Sequence, residues 1–95
     1  MQPAFYILAN RKNGTLYVGC TRDVVRRASE HREGTPGSFT KRYDVTRLVH
    51  VEYYEHMEEA IQREKRVKKW ERTWKVALIE QDNPNWDDLY LTMPW

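Results

Sequence analysis

The chain has 95 residues, with 16 Lys or Arg against 14 Asp or Glu and a formal net charge of +2. That length supports one compact domain over residues 1–95 and excludes a second core. The mild net charge excludes a protein that holds nucleic acid by charge alone, although residues 1–50 carry nine basic against four acidic residues and residues 51–95 carry seven against ten.

Residues 3–10 and 16–20 are rich in aromatic and branched side chains and read as two strands, with Asn13-Gly14 as the hairpin signal between them. A two-residue turn pairs Lys12 with Thr15. That register sets Phe5, Ile7, Ala9, Leu16, Val18 and Cys20 on one face and Tyr6, Tyr17 and Gly19 on the other. Strand tyrosines ordinarily pack, so the shared face of Tyr6 and Tyr17 reads as core or as site. Cys20 has no partner for an internal disulfide and reads as a small buried hydrophobe. No window resembles a signal peptide or a membrane span, so the expected location is intracellular and cytoplasmic, with no membrane partner.

Thr21 is placed to cap a helix over roughly 22–33, with Asp23 in its first turn and Gly34 as its stop. Val24, Ala28 and His31 recur at helical spacing. Arg27 sits among them, so the guanidinium and the imidazole edge the buried side, whereas Arg26 and Arg32 read as solvated charges. A lone Arg at a helix flank also suits a snorkelling role. Residues 34–46 read as an exposed loop in which Lys41 and Arg42 either touch a phosphate backbone or serve solubility.

A third strand is expected over 47–55, through Leu48, Val49, Val51, Tyr53 and Tyr54, followed by a long helix over about 57–71. Positions 60, 61, 64 and 67 of that helix share a face, which directs Glu64 at the core or at a cleft beside it. A carboxylate there needs a cation: a Lys or Arg in a structural pair, or a divalent metal that a substrate helps to bind. Arg63, Lys65, Arg66, Lys68 and Lys69 read as a solvated basic face. Trp74 to Ile79 suggests another helix, followed by a packed tail through Asn83-Pro84-Asn85-Trp86 and Leu89-Tyr90; the tryptophans read as core. Two phenols, a guanidinium and an imidazole so close in sequence suggest chemistry on a phosphate, with Glu64 as the candidate metal-holding acid.

Phe5-Tyr6-Ile7 and Tyr17-Val18-Gly19, in that order, followed by Thr21-Arg22-Asp23-Val24-Val25-Arg26-Arg27-Ala28-Ser29-Glu30-His31 and by Glu64-Lys65-Arg66-Val67-Lys68-Lys69-Trp70, resemble the GIY-YIG nucleases. Phe5 stands where that family's first motif has glycine, but the tyrosine remains. Asn83-Pro84-Asn85-Trp86-Asp87-Asp88-Leu89 resembles the small stand-alone prokaryotic members. These are relatives of the catalytic domains of excision-repair incision subunits, homing endonucleases and structure-specific junction nucleases.

The resemblance implies an α/β (α+β) fold, a small three-stranded, mainly antiparallel sheet flanked by helices. It implies metal-dependent hydrolysis of DNA phosphodiesters, in repair or recombination. By the same analogy Tyr6 is the general base, Tyr17 orients water or meets the phosphate, Arg27 clamps a nonbridging oxygen, and His31 holds the base or relays a proton. Glu64 binds a single Mg2+ or Mn2+, and Gly19 permits close approach of substrate. Larger relatives carry an extra DNA-binding module for which this chain has no room, so a protein partner supplying specificity is expected. The alternative is a nucleic-acid-binding or adaptor module with the same fold and little turnover.

Overall fold

A computed structural model describes residues 2–33 and 43–92. Strands β1 (Ala4–Ala9), β2 (Leu16–Thr21) and β3 (Arg47–Tyr53) form an antiparallel sheet in the order β2-β1-β3. Helix α1 (Val24–Glu33) follows β2, and α2 (Met57–Lys68) and α3 (Arg72–Asp82) follow β3, with a 3-10 turn at Leu89–Leu91. The expected α+β architecture is the one observed. None of the described helices is long and apolar enough to cross a membrane.

The central strand explains the layering, because every residue of β1 is buried. Its alternate side chains feed two clusters on opposite faces of the sheet. Phe5, Ile7 and Ala9 pack with Val18, Val49, Val67, Ile79 and Trp86 beneath α2 and α3, while Ala4, Tyr6 and Leu8 pack with Val24, Val45 and Leu48 beneath α1. A bulge in β3 opposite the Ile7/Leu8 step places Val49 and His50 on the same face, after which alternation resumes.

The hairpin register differs from the expected one by two residues: Ala9, not Lys12, marks the end of the ladder, opposite Leu16. The Asn10 side chain accepts the Thr15 amide N–H at 2.9 Å and fills the space beside Gly14, where a β-carbon would lie 1.9 Å from its Oδ1. Asn13 supplies the left-handed turn residue, with φ of 60°. An even slide preserves the faces, so Tyr6 and Tyr17 still share one.

Helix α1 begins at Val24, later than the expected residue 22. Thr21 still belongs to β2, and Asp23 caps the helix, its Oδ1 accepting the Arg26 amide N–H at 3.2 Å. The Thr21 hydroxyl in turn accepts the Asp23 N–H at 3.1 Å. Gly34, expected to stop α1, lies outside the described residues, as do Lys41 and Arg42. The third strand ends at Tyr53, and Tyr54 bonds back to the Pro3 carbonyl at 2.8 Å.

At α2, Glu58 and Glu59 occupy the first turn and Lys65, Arg66 and Lys68 the last, the polarity that complements a helix dipole. This helix ends at Lys68 instead of residue 71. Apolar spacing from Val67 to Trp70 continues through the break, which hid it from periodicity alone. The tail is tied down by Asn83, whose side chain donates to the Val49 carbonyl at 3.1 Å and to the Asp87 carbonyl at 2.9 Å.

Candidate active site

Strand β2 is an edge strand whose alternation presents Tyr17 and Gly19 toward α1 and Cys20 toward α2. A cavity of about 420 Å³ opens at this edge. Of the residues singled out from sequence, Tyr6, Tyr17, Gly19, Arg27 and Glu64 all line it, and His31 stands behind Tyr6. Glu64 therefore lines the same cavity as the tyrosines from around the sheet edge, on the helix of the opposite face.

Tyr6 lies opposite Gly19 in the ladder, and its ring is 6.3 Å from that of Tyr17. The Tyr6 hydroxyl is 3.1 Å from His31 Nε2, and the imidazole packs against both phenol rings, at 5.9 and 5.2 Å between centroids. Burial pushes the Tyr6 phenol up to about 12, with the Arg27 guanidinium pulling the other way. Burial, and then the positive charge of Arg27, lower His31 below its ordinary value, so the imidazole is neutral at neutral pH. In the tautomer protonated on Nδ1, a neutral imidazole accepts the Tyr6 O–H through Nε2.

Arg27 is within hydrogen-bonding reach of the Tyr6 and Tyr17 hydroxyls, and its NH1 is 3.4 Å from Glu30 Oε1. It is more open than its expected place at the edge of the buried side, with 44% of the side chain exposed. That exposure leaves the planar cation facing the cavity. Glu30 also pairs with Arg26 at 3.7 Å, so one carboxylate holds two guanidiniums beside the phenols.

Glu64 is 19% exposed and accepts from Lys68 Nζ at 3.1 Å, so the cation read from sequence as a structural partner is present. The Cys20 thiol also lies beside this carboxylate; burial, and then Glu64, push it up to about 11. Cys20 is therefore a protonated group on the cavity wall and not the buried hydrophobe expected. Among the described residues no group of three or more His, Cys, Asp or Glu could hold a metal. The donor set fits a hard divalent cation that takes one carboxylate oxygen and completes its shell from water and phosphate oxygens, in the manner of Mg2+.

Several groups on this wall escaped the sequence reading. Thr21, Arg22, Asp23, Arg26 and Glu30 all line the cavity. Part of the signal is local, since Arg26 and Glu30 lie four residues apart on one face of α1, but that spacing suits a solvated ion pair equally well. Arg32 and Arg63, also read as solvated, are structural. Arg32 pairs with Asp88 and stacks 4.3 Å over the Tyr90 ring, tying α1 to the tail. Arg63 grips Glu52 through two bonds, at 2.9 and 3.2 Å, and lies 5.0 Å over Trp70. Trp86 is wholly buried, as expected of a core aromatic, but Trp74 is 59% exposed because it sits on the outer side of α3.

The family model described as the GIY-YIG catalytic domain matches residues 2–77. A UPF0213 protein of Staphylococcus aureus strain COL is 33% identical over 81 residues, which is 85% of this chain and 99% of the relative. The solution structure of a UPF0213 protein from Bacillus halodurans superposes with a TM-score of 0.57 at 31% identity, covering 94% of each chain.

Proposed function

This chain belongs to the GIY-YIG catalytic domain family, a nuclease-type family, and from that premise we propose that it is a metal-dependent endonuclease hydrolysing DNA phosphodiester bonds. The observation that carries the reading is the convergence of Tyr6, Tyr17, Arg27 and Glu64 on one cavity from β1, β2, α1 and α2. A role in DNA repair or recombination, inside the cytoplasm, accords with this chemistry and with a chain whose single cysteine has no disulfide partner.

Phosphodiester hydrolysis needs an activated water, a clamp for added negative charge and a stabilised leaving oxygen. A phenol pushed up to about 12 keeps its proton at neutral pH, so Tyr6 serves as a relay. It takes a proton from the attacking water while giving its own to neutral His31, 3.1 Å behind it. The imidazolium so formed lies near Arg27, and the negative charge arriving on the phosphate offsets that repulsion. Arg27 offers its planar fork to nonbridging oxygens, which Lys cannot match in geometry. Tyr17 orients the water or the phosphate from the same face. Glu64 would hold the divalent metal, which when bound supplies neutralisation of charge on the leaving oxygen.

Incubation with linear, nicked, flapped and branched DNA, with Mg2+ or Mn2+ and with chelator, tests the proposal when run beside Glu64→Ala. Metal-dependent cleavage that Glu64→Ala abolishes is the expected result. DNA left intact on every substrate with either metal overturns it. Salt-dependent binding without cleavage would then favour a binding or adaptor module.

A further inference from the structure

A second cavity, of about 370 Å³, lies on the other side of Tyr17 from the first and is lined by Leu16, Tyr17, Val18, Lys68 and Lys75. We propose that it is a nucleotide subsite, which receives the nucleotide adjoining the scissile phosphate as the strand leaves the catalytic cavity. The inference deepens the nuclease reading and rests on it.

Three observations carry it. The two cavities share Tyr17 in their linings, so a strand whose phosphate meets Tyr17 and Arg27 has the second cavity next to it. The second cavity also differs in character. Its floor is apolar, from Leu16 and Val18, its charged groups are the ammoniums of Lys68 and Lys75, and no carboxylate lines it, whereas Asp23, Glu30 and Glu64 line the first. An apolar floor under two cations matches a nucleotide, which presents a flat, weakly polar base and an anionic phosphate together. Finally, the two lysines come from different helices, α2 and α3, so the cavity draws its positive charge from two separate elements.

Lys68 connects the cavities chemically. Its ammonium bonds Glu64 on one side and borders the nucleotide groove on the other. Lys75 has no such second duty in the catalytic cavity, which makes it the cleaner probe.

The test measures binding alone, by fluorescence anisotropy of a labelled 12-residue oligodeoxynucleotide in chelator over a range of salt. Lys75→Met, which keeps the stem that packs, is expected to weaken binding about tenfold at low salt and to flatten the log–log salt slope by about one phosphate contact. Lys75→Arg restores both. Arg66→Gln removes an equal charge from an exposed position of α2 that lines neither cavity and is expected to leave the slope unchanged. Wild-type affinity and slope in Lys75→Met overturn the subsite. So does an equal loss in Arg66→Gln, which would mean diffuse attraction, or displacement of the oligonucleotide by an oligoglutamate peptide of matched charge as readily as by unlabelled strand. The two readings separate cleanly: a chain that binds through Lys75 and cuts nothing loses its nuclease assignment and keeps only a nucleotide-binding groove, and a chain that cuts DNA while ignoring Lys75 keeps the assignment and loses the subsite.

Discussion

Gly19 faces Tyr6 across the β1–β2 ladder so closely that a β-carbon there would lie 2.6 Å from the Tyr6 hydroxyl oxygen and 2.7 Å from its ring Cζ. A phenol ring is rigid, so Gly19→Ala must swing Tyr6 away from His31 or spread the ladder. The expected outcome is a loss of cleavage of about 100-fold with the fold retained, because displacement of a reacting group by about 1 Å costs that much. Rate measurements beside circular dichroism check it, and a fully active alanine variant contradicts it.

Replacing Arg27 separates charge from geometry. Arg27→Ala should lower the cleavage rate by about 100- to 1000-fold, the range associated with losing one preorganised donor to a transition-state oxyanion. Arg27→Lys retains the charge but lacks the fork, and should recover only a minor part of the rate. Because Arg27 is a surface residue of α1, thermal unfolding of both variants should stay close to wild type.

Lys68 and a divalent metal are rivals for one carboxylate, since Lys68 Nζ already sits 3.1 Å from Glu64 Oε1. Removing the lysine by Lys68→Ala should therefore tighten Mn2+ binding by about threefold, a modest effect because the ammonium is more than half exposed. Titration calorimetry or Mn2+ paramagnetic resonance measures this without any turnover. Weaker Mn2+ binding in the variant would contradict the rivalry.

Two groups divide acid sensitivity into separate pH windows. His31 is held below 6.5 by burial and by Arg27, so as pH falls the unfolded chain takes up that proton first. Stability from keeping it neutral is complete above 6.5 and is lost as pH falls from there toward the folded value. Glu52 behaves differently: burial alone would raise it, but hydrogen bonds from His50, Arg63 and Tyr54 outweigh that and hold it at about 2. Its contribution is present above 4.5 and is lost as pH falls from 4.5 to about 2. Melting curves should show a smaller fall from pH 7.5 to 5.5 in His31→Asn than in wild type. Glu52→Gln should flatten the range from pH 5 to 2 and lower stability at neutral pH by about 2 kcal/mol, since it weakens charge-assisted bonds to Arg63.

How much of this was legible in sequence follows from what each signal encodes. Period-two alternation puts Tyr6, Tyr17 and Gly19 on one face for any even slide of the hairpin register, so a two-residue difference in the turn does no harm. Helical spacing likewise aimed Glu64 inward, but spacing along one helix cannot tell which neighbour it meets. Lining one cavity with Tyr6 from the opposite face depends on β2 being an edge, which is a property of strand order. Arg32 and Arg63 were misread for a related reason. Each is rendered structural by a carboxylate on another element, Asp88 for the first and Glu52 for the second, and local pattern carries no record of such partners.

The Asp88 carboxylate serves three masters: the Leu48 amide, the Tyr90 amide and the Arg32 guanidinium, the last from 56 residues upstream. Helix α1 carries Arg27 and His31, and Arg32 moors its far end to that anchor. Shortening the chain just past Trp86 would leave every catalytic candidate in place by identity while casting off the helix that aims two of them, so minimal versions of this domain should retain the segment through Leu91.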